Sequence, residues 1–95
     1  MKTYALEDIS SCEGASAELR VLLPGQEAPW LLKAPDGDAI AYFKVGPKDL
    51  GREGDWVTAD VSGRHYFEDE AVISVLRKLQ SKVGGVIIDD DGTVL

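Results

Sequence analysis

Apolar residues recur at helical spacing in the second half of the chain, between about residues 67 and 83. Positions three and four apart share one face of a helix, and six apolar residues follow that spacing: Ala71, Val72, Val75, Leu76, Leu79 and Val83. Acidic residues occupy the first turn and basic residues the last, so each charge lies at the complementary end of the helix dipole. Gly84 then supplies a helix stop. The pattern predicts one long amphipathic helix over 67–83.

Short segments rich in β-forming residues flank this helix. Residues 56–61 alternate between apolar and polar side chains, and residues 85–89 form a short apolar run that predicts a buried strand. Two strands joined through a helix by short loops favour a βαβ unit with a right-handed crossover. An Asp-Gly turn within 88–95 predicts a last hairpin.

The first half of the chain predicts an antiparallel meander. Residues 17–23 alternate, a Pro- and Gly-containing stretch interrupts them, and residues 30–33 resume the pattern. A turn at 36–38 leads into the β-rich segment 39–45. For residues 3–9 the sequence leaves a strand and a helical turn as alternatives.

Together these elements predict a single α+β domain over residues 1–95. We expect a mixed sheet of five or six strands, made of the antiparallel meander and a C-terminal βαβ unit and covered on one face by one long helix. The other face is then either polar or an interface. Large apolar side chains in the predicted strands favour an interface, and a homodimeric structural subunit with Trp30, Tyr42 and Phe43 at its interface is one of the alternatives that the sequence leaves open.

Seventeen acidic and ten basic residues give the chain a net charge of −7. Residues 1–48 carry −2 of this charge and residues 49–95 carry −5. Nucleic acids and anionic membranes are bound by clustered basic residues. In this sequence only two basic residues are adjacent, Arg77 and Lys78. The composition therefore disfavours both partners. An acidic face can instead attract a basic protein partner, although a net charge of this size also keeps small domains soluble.

Two acidic triplets are the best candidate site that the sequence offers. They are Glu68, Asp69 and Glu70 at the helix start, and Asp89, Asp90 and Asp91 after the closing strand. In a parallel crossover, the helix starts at the end of the sheet where the second strand finishes. Six carboxylates would then crowd one edge of the sheet, where a basic protein surface would relieve their repulsion.

Candidates for catalysis are sparse. Cys12 and His65 are the one cysteine and the one histidine, and neither lies in a nucleophile motif or a phosphate-binding loop. With Arg64, they support the alternative of a small-ligand-binding or enzymatic domain. A zinc site would need more Cys and His ligands than the chain has, and the acidic turn at 89–91 lacks the spacing of an EF-hand. We expect no catalytic residues, no metal and no cofactor.

The sequence also predicts where the protein works. Its longest apolar runs are three or four residues, where a membrane-spanning helix needs about 20, and two early carboxylates oppose a secretory signal. One cysteine cannot form an internal disulfide, which is typical of a reducing compartment. We therefore expect a cytoplasmic, non-catalytic protein-binding module, such as an inhibitor or a toxin-neutralising (immunity-type) protein.

Overall fold

Five strands and two helices form the domain in the computed structural model, which describes residues 2–26, 29–49, 54–63 and 67–95. In chain order the elements are β1 (Lys2–Ile9), α1 (Cys12–Leu22), β2 (Trp30–Lys33), β3 (Ala39–Gly46), β4 (Asp55–Val61), α2 (Asp69–Val83) and β5 (Val86–Ile88). The predicted α+β class and five-stranded sheet are confirmed.

The sheet has the strand order β2-β3-β4-β1-β5, and every neighbouring pair is antiparallel. The predicted βαβ unit takes a split form, because β1 lies between β4 and β5 and is antiparallel to both. Strands β4 and β5 therefore run in the same direction without touching. The expected mixed sheet is thus wrong in one detail, since no parallel pair joins its named strands.

Helix α2 confirms the amphipathic pattern, since it begins two residues after the predicted start and ends at Val83 as predicted. Its buried residues are Val72, Val75, Leu76, Leu79 and Val83. After Gly84, which has a φ of 71°, the chain turns back into β5. The final hairpin is also confirmed, in reduced form, by a single bridge between Ile88 and Val94.

Helix α1 corrects the prediction of a strand over residues 17–23. Ser11 caps the helix by accepting a hydrogen bond from Gly14 N, and Ala15 and Leu19 are buried one turn apart. Gly14 lets the two helices approach, because a Cβ there would lie 3.2 Å from Val83 Cγ1. Ser10 N donates a hydrogen bond to Val83 O at 2.9 Å, which connects the start of α1 to the end of α2.

Both helices lie on one face of the sheet, which we call the covered face. Helix α2 contacts β1, β4 and β5, while α1 contacts β3 and β4. The centre of this face is fully buried, as Leu6, Val57 and Phe43 illustrate. Because successive strand residues point to opposite faces, the residues next to them along each strand lie on the second face, which we call the open face.

The edges of the sheet are both occupied. Gln26 Oε1 accepts a hydrogen bond from Leu31 N at 2.8 Å, and Gln26 Nε2 donates to Leu31 O at 3.0 Å, so the amide takes the place of a neighbouring strand on β2. On β5, Leu95 N donates to Ile87 O at 2.9 Å and residues 93–95 cover the edge.

Within the described part of the chain, neither helix has the length and apolar character needed to span a bilayer.

Candidate functional site

Both acidic triplets lie at the same end of the sheet. Strand β4 leads into α2, and β5, which runs in the same direction, leads into the turn at residues 89–92. The amino end of β1 lies between them, so Tyr4 experiences the charges of Asp69, Asp89 and Asp90 together. We call the six residues Glu68, Asp69, Glu70, Asp89, Asp90 and Asp91 the acidic end.

Tyr4 and Lys2 hold the carboxylate of Asp69. Lys2 Nζ lies 2.7 Å from Asp69 Oδ2, and the Tyr4 hydroxyl donates to the same oxygen at 2.9 Å. Burial alone would raise the pKa of Asp69, but these two donors and the Lys2 charge outweigh it and lower the pKa. Burial, the Asp69 hydrogen bond and the surrounding carboxylates raise the pKa of Tyr4 to about 12. The Asp69 carboxylate therefore interacts with groups of the protein itself, through Lys2 and Tyr4.

The second triplet is more accessible. Asp89 Oδ1 accepts hydrogen bonds from Asp91 N at 3.0 Å and from Thr93 N at 2.8 Å, which closes the turn. Asp90 and Asp91 are exposed and point their charge to solvent. All three residues offer carboxylate oxygens within 4.8 Å of one another. The turn therefore concentrates negative charge at the tip of the acidic end.

Aromatic and polar side chains share the open face of the sheet. Across β3, β4 and β1, Tyr42, Asp60 and Thr3 are cross-strand partners in one row. Thr3 Oγ1 donates to Asp60 Oδ1 at 3.0 Å. Two residues along β4 from Thr58, the Trp56 ring lies over Gly46, where a Cβ would clash with the ring. The open face is therefore partly aromatic, and Asp60 lies on it near the end of β4 that leads toward α2.

Two of the three predicted interface residues lie on the wrong face. Trp30 and Phe43 are cross-strand partners in the core, with 2% and 0% of their surface exposed, so they cannot contact a second subunit. Tyr42 is on the open face and 42% exposed, as an interface residue would be. Adjacent strand residues point in opposite directions, so Tyr42 and Phe43 could not both have been exposed.

Cys12 lies where its thiol is held protonated. Burial raises its pKa first, and the nearby Asp55 carboxylate raises it further. The same carboxylate accepts hydrogen bonds from Cys12 N and Lys48 N, both 2.8 Å long, which lower the pKa of Asp55. Since the thiolate is the nucleophile, this environment opposes nucleophilic chemistry. His65 and Arg64 lie outside the described residues.

The depressions of the described surface include two shallow ones. One, of about 500 Å³, follows the outward side of α2 and is lined by Glu70, Ile73, Ser74, Arg77, Lys78 and Ser81. The other, of about 360 Å³, lies between the start of α1 and the end of β3 and includes Cys12. A ligand site usually combines an apolar cavity with converging polar groups. The first depression is lined by side chains of a single helix, and the second contains the protonated Cys12 thiol. Neither depression therefore has the features of a typical ligand site.

Sequence reasoning identified the acidic end but missed the residues that organise it. Lys2 and Tyr4 are far from Asp69 in the chain, and the pairing of β1 with β4 brings Asp60 and Thr3 together. The alternation over residues 56–61 does place Asp60 on the face opposite the buried valines, which is the one signal that could have drawn attention to it.

Comparisons of the chain with protein-family models, with curated proteins and with solved structures find no match.

Proposed function

We propose that this protein is a non-catalytic binding module that docks a basic protein partner through its acidic end. The observation that carries the proposal is that members of both acidic triplets lie near Tyr4, whose pKa the carboxylates of Asp69, Asp90 and Asp89 help to raise. Such a concentration of negative charge attracts a positively charged protein and accelerates its association.

The six carboxylates have different parts in this proposal. Asp69 is held by Lys2 and Tyr4, so it positions the start of α2 beside the turn. Glu70, Asp90 and Asp91 are exposed and are the residues that a partner would contact. An inhibitor or toxin-neutralising protein of the immunity type would act in this way, by covering a basic surface of its target.

The alternatives draw less support from the described residues. An enzyme that uses Cys12 would need a thiolate, whereas burial and Asp55 favour the thiol. A homodimer through Trp30, Tyr42 and Phe43 would need two side chains that are buried in the core. For the cell compartment we propose the cytoplasm, on the ground that the one cysteine cannot form an internal disulfide.

Affinity capture from the native cytosol at low salt and at about 0.5 M salt tests the proposal. At 0.5 M, charges on the surface are screened within about 5 Å. We expect basic proteins to be retained at low salt and released at high salt. The double variant Asp90→Asn/Asp91→Asn should lose most of this retention, because it removes the charge at the tip of the acidic end.

A second double variant, Glu13→Gln/Glu18→Gln, provides the matched control. It removes the same charge from α1, away from the acidic end, and should retain the partner. Capture that is insensitive to salt, or equal losses in the two double variants, would contradict a specific acidic docking site.

A further inference from the structure

On the open face, the Asp60 carboxylate is oriented by the fold and lies beside an exposed aromatic ring. Asp60 lies between Tyr42 on β3 and Thr3 on β1, in direct register with both. Directly opposed residues in antiparallel strands have Cβ atoms about 4.5–5.5 Å apart. The Tyr42 ring and the Asp60 carboxylate are therefore neighbours on the open face.

Thr3 fixes the direction of this carboxylate. Its hydroxyl donates to Asp60 Oδ1 at 3.0 Å, which leaves acceptor capacity on both carboxylate oxygens, since each carries two lone pairs. Asp60 is half-buried, and Tyr42 is 42% exposed. A group that approaches from solvent would thus meet an oriented acceptor beside an accessible ring face.

The part of the chain that the structure describes supplies no ion pair to Asp60. Among the described residues no cation forms an ion pair with it within 4.0 Å, whereas Asp69 at the same end has Lys2. Lys44 is the nearest cation in the sheet register, diagonal to Asp60 and next to Thr58. A basic group from outside would therefore find an uncompensated carboxylate in a chain of net charge −7.

We propose that Tyr42 and Asp60 receive an arginine side chain of the basic partner. This inference rests on the proposed function and names the chemical group that the partner supplies. A planar guanidinium can lie on an aromatic ring while its N–H groups bind a carboxylate, whereas a lysine ammonium provides only a point charge. A second copy of this chain is the poorer occupant, because it would bring another −7 to the same face.

Binding of hexa-arginine and hexa-lysine peptides, followed by NMR chemical-shift perturbation and calorimetry, tests this site. We expect hexa-arginine to bind more tightly and to shift the amide signals of Thr3, Tyr42 and Asp60. Tyr42→Ala should weaken hexa-arginine binding about three- to fivefold, while Tyr42→Phe, which keeps the ring, should not. Asp60→Asn keeps an acceptor for Thr3 but removes the charge, so it should abolish the preference for arginine.

Asp91→Asn is the control, because it removes one exposed charge from the acidic end without touching the open face. If both peptides bind equally, and Asp60→Asn weakens them no more than Asp91→Asn does, the arginine site is wrong although the acidic end still binds basic partners. If neither peptide binds, both proposals fail. Concentration-dependent broadening of the Tyr42 signals without peptide would assign the face to a second copy and would also overturn the site. Circular dichroism confirms that each variant folds.

Discussion

The two faces of the sheet are built from the same strands but from different kinds of side chain. The covered face places residues such as Leu6, Val57 and Phe43 against two helices with none of their surface exposed. On the open face, their neighbours Thr58 and Tyr42 remain in contact with solvent. One face thus supplies the apolar burial that stabilises the fold, and the other is available for recognition.

The contrast teaches that an aromatic residue in a strand is not by itself a sign of an interface. Tyr42 and Phe43 are adjacent in sequence and similar in size, yet one is 42% exposed and the other fully buried. The pleat sends them to opposite faces, and only the face that the helices leave uncovered can present a ring to a partner. The predictions below test this division.

The largest effect is expected on the covered face. Leu76→Ala removes a fully buried side chain from the middle of α2 and should lower the free energy of unfolding by about 2–5 kcal/mol, because it leaves a cavity. Tyr42→Ala on the open face should cost less than about 1 kcal/mol. Urea denaturation followed by circular dichroism measures both. Equal losses would contradict the division of roles.

A smaller effect is expected at the acidic end. Asp69→Asn removes the charge that accepts hydrogen bonds from Lys2 and Tyr4, and should lower the free energy of unfolding at neutral pH by about 1–2 kcal/mol. The pKa of Asp69 is lowered by folding. Its stabilisation is therefore present above the unfolded value, about 4, and is lost as the pH falls through the folded value.

Unfolding of the wild type between about pH 4.5 and 2 should consequently show a steeper loss of stability than unfolding of Asp69→Asn. Asp55, whose pKa is also lowered, leaves a residual slope in both proteins. The exposed Asp91→Asn serves as a control and should keep the wild-type slope. Parallel acid profiles for all three proteins would show that ionisation of Asp69 makes no contribution to the pH dependence of stability.

At the β2 edge, Gln26→Ala leaves the Leu31 N–H and C=O without their side-chain partners. We expect a loss of about 1 kcal/mol and greater self-association, because an open strand edge pairs with other chains. Light scattering after size-exclusion chromatography over a range of concentrations measures this.

Gln80→Ala is the matched control for this edge variant. It also removes a glutamine hydrogen bond to a backbone group five residues away, from Gln80 Nε2 to Gly85 O at 3.0 Å, but at the end of α2. An identical mass for both variants at every concentration would mean that Gln26 does not protect the edge.

The smallest effect concerns the Tyr4 hydroxyl. Folding raises the pKa of Tyr4 to about 12, so its stabilisation is complete below the unfolded value, about 10. It is lost as the pH rises through the folded value. Tyrosinate absorbance should show one of the three tyrosines titrating last, and Tyr4→Phe should remove that step. Removal of the same step by Tyr42→Phe would assign it to the open face.

Helix α2 and the positions of most strands could be predicted because their signals are local. The stripe from Val72 to Val83 fits only a helical period, and residues 30–33 became β2 with the same bounds. Helix α1 was missed because the apolar spacing over residues 17–23 also fits alternation. Ser11 was a usable cap signal, but Gly14 weakens helix propensity and is explained only by the approach of Val83.

The candidate site divides in the same way. The six carboxylates of the acidic end are visible in the sequence, and so is the reason to look for a basic partner. The role of Tyr4 could not be predicted, because its hydroxyl meets Asp69 across 65 residues of chain. The alignment of Tyr42, Asp60 and Thr3 in one row could not be predicted either. It depends on a register between strands that no local pattern specifies.

The sequence by itself determined the helix stripe, the alternating strands, the single thiol and the net charge of −7, since each follows from residue type and spacing. Tertiary structure alone decided that β1 would separate β4 from β5 and that Trp30 and Phe43 would face the helices. The physical reason is that strand order and the choice of buried face depend on apolar surface shared among distant segments. No single segment holds that information.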